Sequence, residues 1–124
     1  MSLVLIVEDN ERNMELARDI LQAKGHDTLE ARTAEEGLKL AHAQNPQLIL
    51  MDIQLPGMNG IEALKALRAE PGTAGIPIVA ITASVMKSDR QEIMSAGFDG
   101  FIEKPITVRG FMDVVEATLG AKNP

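Results

Sequence analysis

Five residues could do chemistry if the chain brings them together: Glu8, Asp9, Asp52, Thr82 and Lys104. Each stands at or just beyond the end of a short apolar run. Glu8 and Asp9 follow LVLIV (3–7), Asp52 closes LILMD (48–52), Thr82 closes IVAIT (78–82), and Lys104 follows GFIE (100–103). Two carboxylates about 4 Å apart repel by roughly 4 kcal/mol at an effective dielectric near 20. Three in one cleft must therefore shift their pKa values, pair with a cation, or both. Oxygen donors with no His or Cys among them suit a hard divalent ion, Mg2+ ahead of Ca2+. A lysine and a hydroxyl across the cleft favour a dianionic oxyanion, and a carboxylate so placed can attack phosphorus to give an aspartyl phosphate.

Taken singly, each residue has a plainer reading. A lone Asp52 is a strand end bonded to loop amides. Glu8, Asp9 and Asn10 can cap the following helix, Thr82 can bond a turn, Lys104 can be a surface lysine, and Phe101 can be core packing. The weight lies on whether the chain's architecture makes the five converge.

The elements that would position them are a fivefold alternation of apolar runs and amphipathic stretches. The runs at 3–7, 48–52 and 78–82 are continuous, the pattern of strands covered on both faces, whereas DTLEA (27–31) is half polar and suits an edge. Between them, Met14, Ala17 and Leu21 make one helical stripe with Ile20 beside it, ended at Gly25. Thr33 and Glu36 match a capping box for a helix carrying Leu38, Leu40 and Ala41. Asn59 caps a third helix with Ile61, Leu64 and Leu67 inward; Ser88 and Gln91 suit the start of a fourth; Thr107 caps a fifth with Phe111, Val114, Val115, Thr118 and Leu119 on its apolar side. Alternating strands and helices imply a doubly wound α/β domain, a five-stranded parallel sheet with helices on both faces. In such a sheet every strand ends at the same rim, so the five residues meet. The expected domain is 3–120, with 121–124 a flexible tail.

Composition narrows the rest. The 124 residues carry a formal charge of −6, with no Cys, no Trp, no Tyr and three Phe. An acidic chain argues against nonspecific nucleic-acid or anionic-membrane binding, the missing Cys excludes disulfides and thiolate sites, and no apolar run approaches a bilayer span. A cytoplasmic protein is the simplest expectation.

The ordered set VEDN (7–10), LILMDIQLPGMNG (48–60), IVAITA (78–83) and FIEKP (101–105) resembles the receiver domain of two-component response regulators, closest to single-domain regulators of the DivK type and hybrid-kinase receivers. The resemblance spans essentially the whole chain. It implies a flavodoxin-like sheet of order 2-1-3-4-5. It implies that Asp52 accepts a phosphoryl group from a phosphohistidine, with Mg2+ (or Mn2+) held by Asp9, Asp52 and the Gln54 backbone carbonyl and with Glu8 holding a metal-bound water. Thr82 and Lys104 would contact the phosphoryl group, Pro105 would follow a cis peptide, and Phe101 would be the aromatic partner of Thr82 in a conformational switch, here without the Tyr hydroxyl common in the family. The implied partners are a sensor histidine kinase or histidine phosphotransfer protein docking near Asn10, Asn13, Met14 and Ala17, and a downstream protein on the face of helix 4, strand 5 and helix 5 around Lys87, Arg90, Phe98 and Phe111. With no output domain after Leu119, a protein target is expected, and the chain is expected to be a monomer or weak dimer.

Two other classes compete. An aspartate-nucleophile phosphatase or phosphotransferase needs an acid two residues after the nucleophile, where this chain has Gln54. A phosphate-independent scaffold would have no use for an intact Asp9, Asp52, Thr82 and Lys104 set. The chain is expected not to be an enzyme in the turnover sense.

Overall fold

The computed structural model describes residues 2–83 and 87–122, without the side chains of 87–89, 121 and 122. Five strands, β1 (Leu3–Val7), β2 (Asp27–Ala31), β3 (Leu48–Asp52), β4 (Ile78–Thr82) and β5 (Gly100–Glu103), alternate with five helices, α1 (Glu11–Ala23), α2 (Ala34–Gln44), α3 (Gly60–Ala69), α4 (Lys87–Ala96) and α5 (Val108–Lys122). All pairings are parallel and the order is β2-β1-β3-β4-β5. Among the described residues no helix is long and apolar enough to cross a membrane.

Alternation along each strand divides the core into two layers. Val4, Ile6, Leu48, Leu50, Val79, Ile81 and Ile102 pack beneath α1 and α5. Leu5, Val7, Ile49, Met51, Ile78, Ala80 and the half-buried Phe101 pack beneath α2, α3 and α4. β3 and β4 are buried at every position, which is why they read as unbroken apolar runs.

The helix starts are built by side chains. Asn10 Oδ1 accepts the Asn13 N–H, and Asn59 exchanges both hydrogen bonds of a capping box with Glu62. Thr33 caps α2 through the Glu36 N–H, but Glu36 Oε1 reaches back to the Arg32 N–H instead of closing the box at Thr33. Thr107 accepts the Gly110 N–H at the start of α5. α4 already includes Lys87, so Ser88 lies inside the first turn and not at its cap.

The inner faces of two helices are set by more than apolar spacing. α2 buries Ala34, Gly37 and Ala41, while Leu38 and Leu40 are only half-buried. The cause is close approach: a Cβ on Gly37 would stand 2.8 Å from Val7 Cγ2, so only small residues fit against β1. α5 runs through Lys122, two residues into the stretch expected to be a tail, and buries Met112 as well as Phe111, Val115, Thr118 and Leu119.

Candidate functional site

The strand ends meet at one rim. Ile6 and Leu50 lie opposite each other in the β1–β3 register, and continuing that alternation outward puts Glu8 and Asp52 on the α1/α5 side of the sheet. Both side chains are almost wholly buried, whereas Asp9, one residue on, is exposed. Glu8, Asp9 and Asp52 each offer a carboxylate oxygen, and these oxygens all lie within 4.8 Å of one another.

Lys104 enters from β5. Its peptide bond to Pro105 is cis. The ammonium donates to Asp52 Oδ2 at 3.0 Å and lies 3.2 Å from Glu8 Oε1. Asp52 Oδ1 accepts the Gln54 N–H at 3.0 Å, and Glu8 Oε2 accepts the Asn10 N–H at 3.1 Å. So each buried carboxylate is held by one backbone amide and by the lysine, which donates to Glu8 Oε2 at 3.5 Å as well as lying near Oε1. Glu8 Oε1 is buried and takes no hydrogen bond.

These contacts leave an uneven charge distribution. Burial, then the hydrogen bond and negative charge of neighbouring Asp52, push Glu8 up from 4.5 to about 7, against the opposing pull of the Asn10 amide and Lys104. Burial draws the Lys104 ammonium down, but hydrogen bonds and charge from Asp52 and then Glu8 outweigh it, and its pKa lies above the ordinary lysine value. One lysine thus serves two carboxylates and does not neutralise the third. Three carboxylates beside one ammonium, all of them oxygen donors within 4.8 Å of one another, fit a hard divalent cation.

Thr82, also buried, emerges on the opposite side of β4 from Ile81, the residue paired with Asp52. Thr82 pairs with Glu103 in the β4–β5 register, and its carbonyl accepts the Lys104 N–H at 2.9 Å. Phe101 and Glu103 are on the α4 side of β5, and Arg90 of α4 reaches both: its guanidinium lies 4.9 Å from the Phe101 ring centroid and is ion-paired to Glu103. Within FIEKP, nothing in the sequence marks Glu103 for a role, although its i, i+2 spacing from Phe101 puts the two on one face.

The Leu48–Gly60 stretch is completed by α3. Gly60 N–H donates to the Ile53 carbonyl, and a Cβ on Gly60 would stand 2.4 Å from the Asp52 carbonyl oxygen. Gly60 is therefore what lets α3 start directly against the backbone carrying Asp52.

A family model for the response regulator receiver domain matches residues 4–116. The chain belongs to that family. The polar-differentiation response regulators DivK of Brucella abortus and Brucella anthropi are each 44% identical to this receiver over 117 residues, 94% of this chain and 95% of theirs. The receiver domain of a sensor histidine kinase from Pseudomonas aeruginosa PAO1, crystallised with a magnesium ion coordinated in its active-site cleft, superposes with a TM-score of 0.88 at 27% identity, covering 96% of this chain and 98% of that one. The chemotaxis response regulator CheY4 of Vibrio cholerae gives 0.90 at 25% identity, over 95% and 98%.

The partner surfaces expected of this receiver need redrawing. Met14 and Ala17 are buried against the sheet, leaving Asn10, Glu11, Arg12 and Glu15 as the exposed start of α1. Phe98 and Phe111 are core residues with 4% and 0% exposure, so neither belongs to a docking face. Arg90 and Met94 are exposed there, and the Lys87 side chain lies outside the described residues.

Proposed function

We propose that this receiver takes a phosphoryl group onto Asp52 from a phosphohistidine of a sensor kinase or phosphotransfer protein in the cytoplasm. The observation that carries the reading is the environment of Asp52: a buried carboxylate, one oxygen held by the Gln54 amide, the other by Lys104, inside an acidic trio. A nucleophile so fixed is pre-positioned for in-line attack. An Asp52 oxygen forms a bond to phosphorus as the phosphorus–nitrogen bond of the donor breaks, and the bonding pair leaves on the imidazole.

Asp9 and Asp52, with the Gln54 carbonyl, would hold Mg2+ (or Mn2+), and Glu8 would hold a water bound to it. Such an ion offsets the charge on the transferring phosphoryl oxygens. Lys104 exchanges its carboxylate partner for a phosphoryl oxygen, and the Thr82 hydroxyl donates to another. The new group adds about −1.5 to −2 charges at one point. Attraction of Thr82 and Lys104 toward it biases a two-state rearrangement of Phe101 and of the α4–β5–α5 face. Gln54 offers an amide where a phosphatase would need an acid, so the phosphate is held as a signal and not passed to water in rapid turnover.

The decisive experiment is labelling by acetyl phosphate with Mg2+ in the unaltered protein and in Asp52→Asn. Labelling is expected in the first and absent in the second. Equal incorporation in both would overturn the assignment of Asp52.

A further inference from the structure

Phe101 has no hydroxyl, so nothing but packing and its ring electrons can fix its position. The half-buried ring leans on the core layer beneath α2, α3 and α4. Among the described residues a cation of α4 lies over the ring. The Arg90 guanidinium lies 4.9 Å from the ring centroid, within the range where a cation is drawn to the face of an aromatic ring. Arg90 Nη2 also donates to Glu103 Oε1. Glu103 stands two residues beyond Phe101 on the same face of β5, faces Thr82 across the register and directly precedes Lys104. One side chain of α4 thus straddles the aromatic position and the residue joining Thr82 to the charged site.

We propose that Arg90 is a positioning residue that holds Phe101 in its resting place, with Glu103 as the anchor that aims the guanidinium at the ring. The inference rests on the phosphate-switch reading of Asp52. Thr82 is paired with Glu103 across the β4–β5 register and its carbonyl accepts the Lys104 N–H, so a shift of Thr82 toward a phosphoryl group acts on the strand end that carries Glu103, the anchor of Arg90. The clamp is suited to release. Arg90 and Glu103 are 46% and 41% exposed, so water screens their attraction and the pair is weak. A weak clamp biases a two-state equilibrium by severalfold and does not lock it.

Fluorine NMR of protein labelled with para-fluorophenylalanine reads this directly, because the chain has only three Phe. Phe98 and Phe111 are buried in the core and report whether a variant is folded. In Arg90→Gln, the Phe101 resonance should move, without any phosphate analogue, toward the position it takes in the unaltered protein with Mg2+ and beryllofluoride. The initial rate of labelling by acetyl phosphate should rise about three- to tenfold as the acceptor conformation becomes more populated. Glu103→Gln should shift the resonance the same way by less, and Arg90→Lys should restore most of the resting position. A Phe101 resonance and a labelling rate unchanged in Arg90→Gln, with Phe98 and Phe111 in place, would overturn the clamp. A ring that moves in Arg90→Gln, in a protein that neither labels nor responds to beryllofluoride, would overturn the phosphate reading while upholding Arg90's grip on Phe101.

Discussion

Lys104 Nζ lies 3.0 Å from Asp52 Oδ2 and 3.2 Å from Glu8 Oε1, so one ammonium bridges two buried carboxylates that would otherwise face each other. The side chain retains 20% exposure, which keeps some solvent on the cation side. The bridge holds the resting site together and occupies the oxygens that other ligands would use.

Replacing Lys104 by Met removes the cation and leaves its carbon stem. The two acids are then buried with only their backbone amides and no cation, a situation that costs on the order of 3 kcal/mol in proteins. We expect Lys104→Met to unfold at lower denaturant concentration at neutral pH, with Mg2+ recovering much of the loss because a second cation now does the screening. Denaturant titration with chelator and with Mg2+ checks this. Equal sensitivity of variant and unaltered protein to Mg2+ would count against a shared role for lysine and metal.

The pH dependence follows from Glu8. Its pKa in the fold is raised to about 7, first by burial and then by Asp52, from 4.5. Between those values the folded chain holds a proton that the unfolded chain releases, so stability falls as pH rises through this window. The stabilisation is fully present below about 4.5 and is lost once the pH passes about 7. The loss is on the order of 2 kcal/mol for the metal-free protein. Mg2+ binding should show the opposite trend, since it requires the charged form: affinity should rise about tenfold per pH unit below pH 7 and then level off. Glu8→Gln should flatten both profiles. Calorimetric Mg2+ titrations between pH 5 and 8, beside thermal melts in chelator, measure the two arms.

How much of this was legible in the chain depends on range. The buried runs at 48–52 and 78–82 declared themselves, because strands covered on both faces leave no polar position to confuse the reading. The rim residues followed from topology alone. The inward face of α2 did not, since Gly37 is inward for lack of a side chain, and hydrophobicity scales favour Leu38 and Leu40 beside it. Phe98 and Phe111 look like anchors for a partner in a sequence so poor in aromatics, yet the core claims both. Pairings across long gaps left no local trace. Arg68 donates to the Ala74 and Ile76 carbonyls and pairs with Asp99, whose carboxylate accepts the Ile78 N–H. That network ties α3 to the start of β4 and the turn before β5, and nothing in the spacing of those residues announces it.

Gly60 joins the fold to the site most tightly. Its Cα packs against the backbone that follows Asp52, where a Cβ would fall 2.4 Å from the Asp52 carbonyl oxygen and 2.8 Å from Ile53 Cα. Both neighbours are backbone, so no rotamer change relieves the overlap. They are also in the segment that presents the Asp52 carboxylate and the Gln54 N–H bonded to it. Gly60→Ala must therefore push α3 outward or tilt the strand end, at a cost of roughly 2–4 kcal/mol, in the range of strained or overpacked sites. The damage should not stop at stability. If the strand end tilts, Mg2+ affinity and acetyl phosphate labelling should fall together in the fraction that remains folded. If α3 moves instead, the melting temperature should drop while both site properties persist. Measuring Mg2+ affinity and labelling below the onset of unfolding separates the two. Gly60→Ala at full stability, with an unchanged site, would contradict the close approach itself.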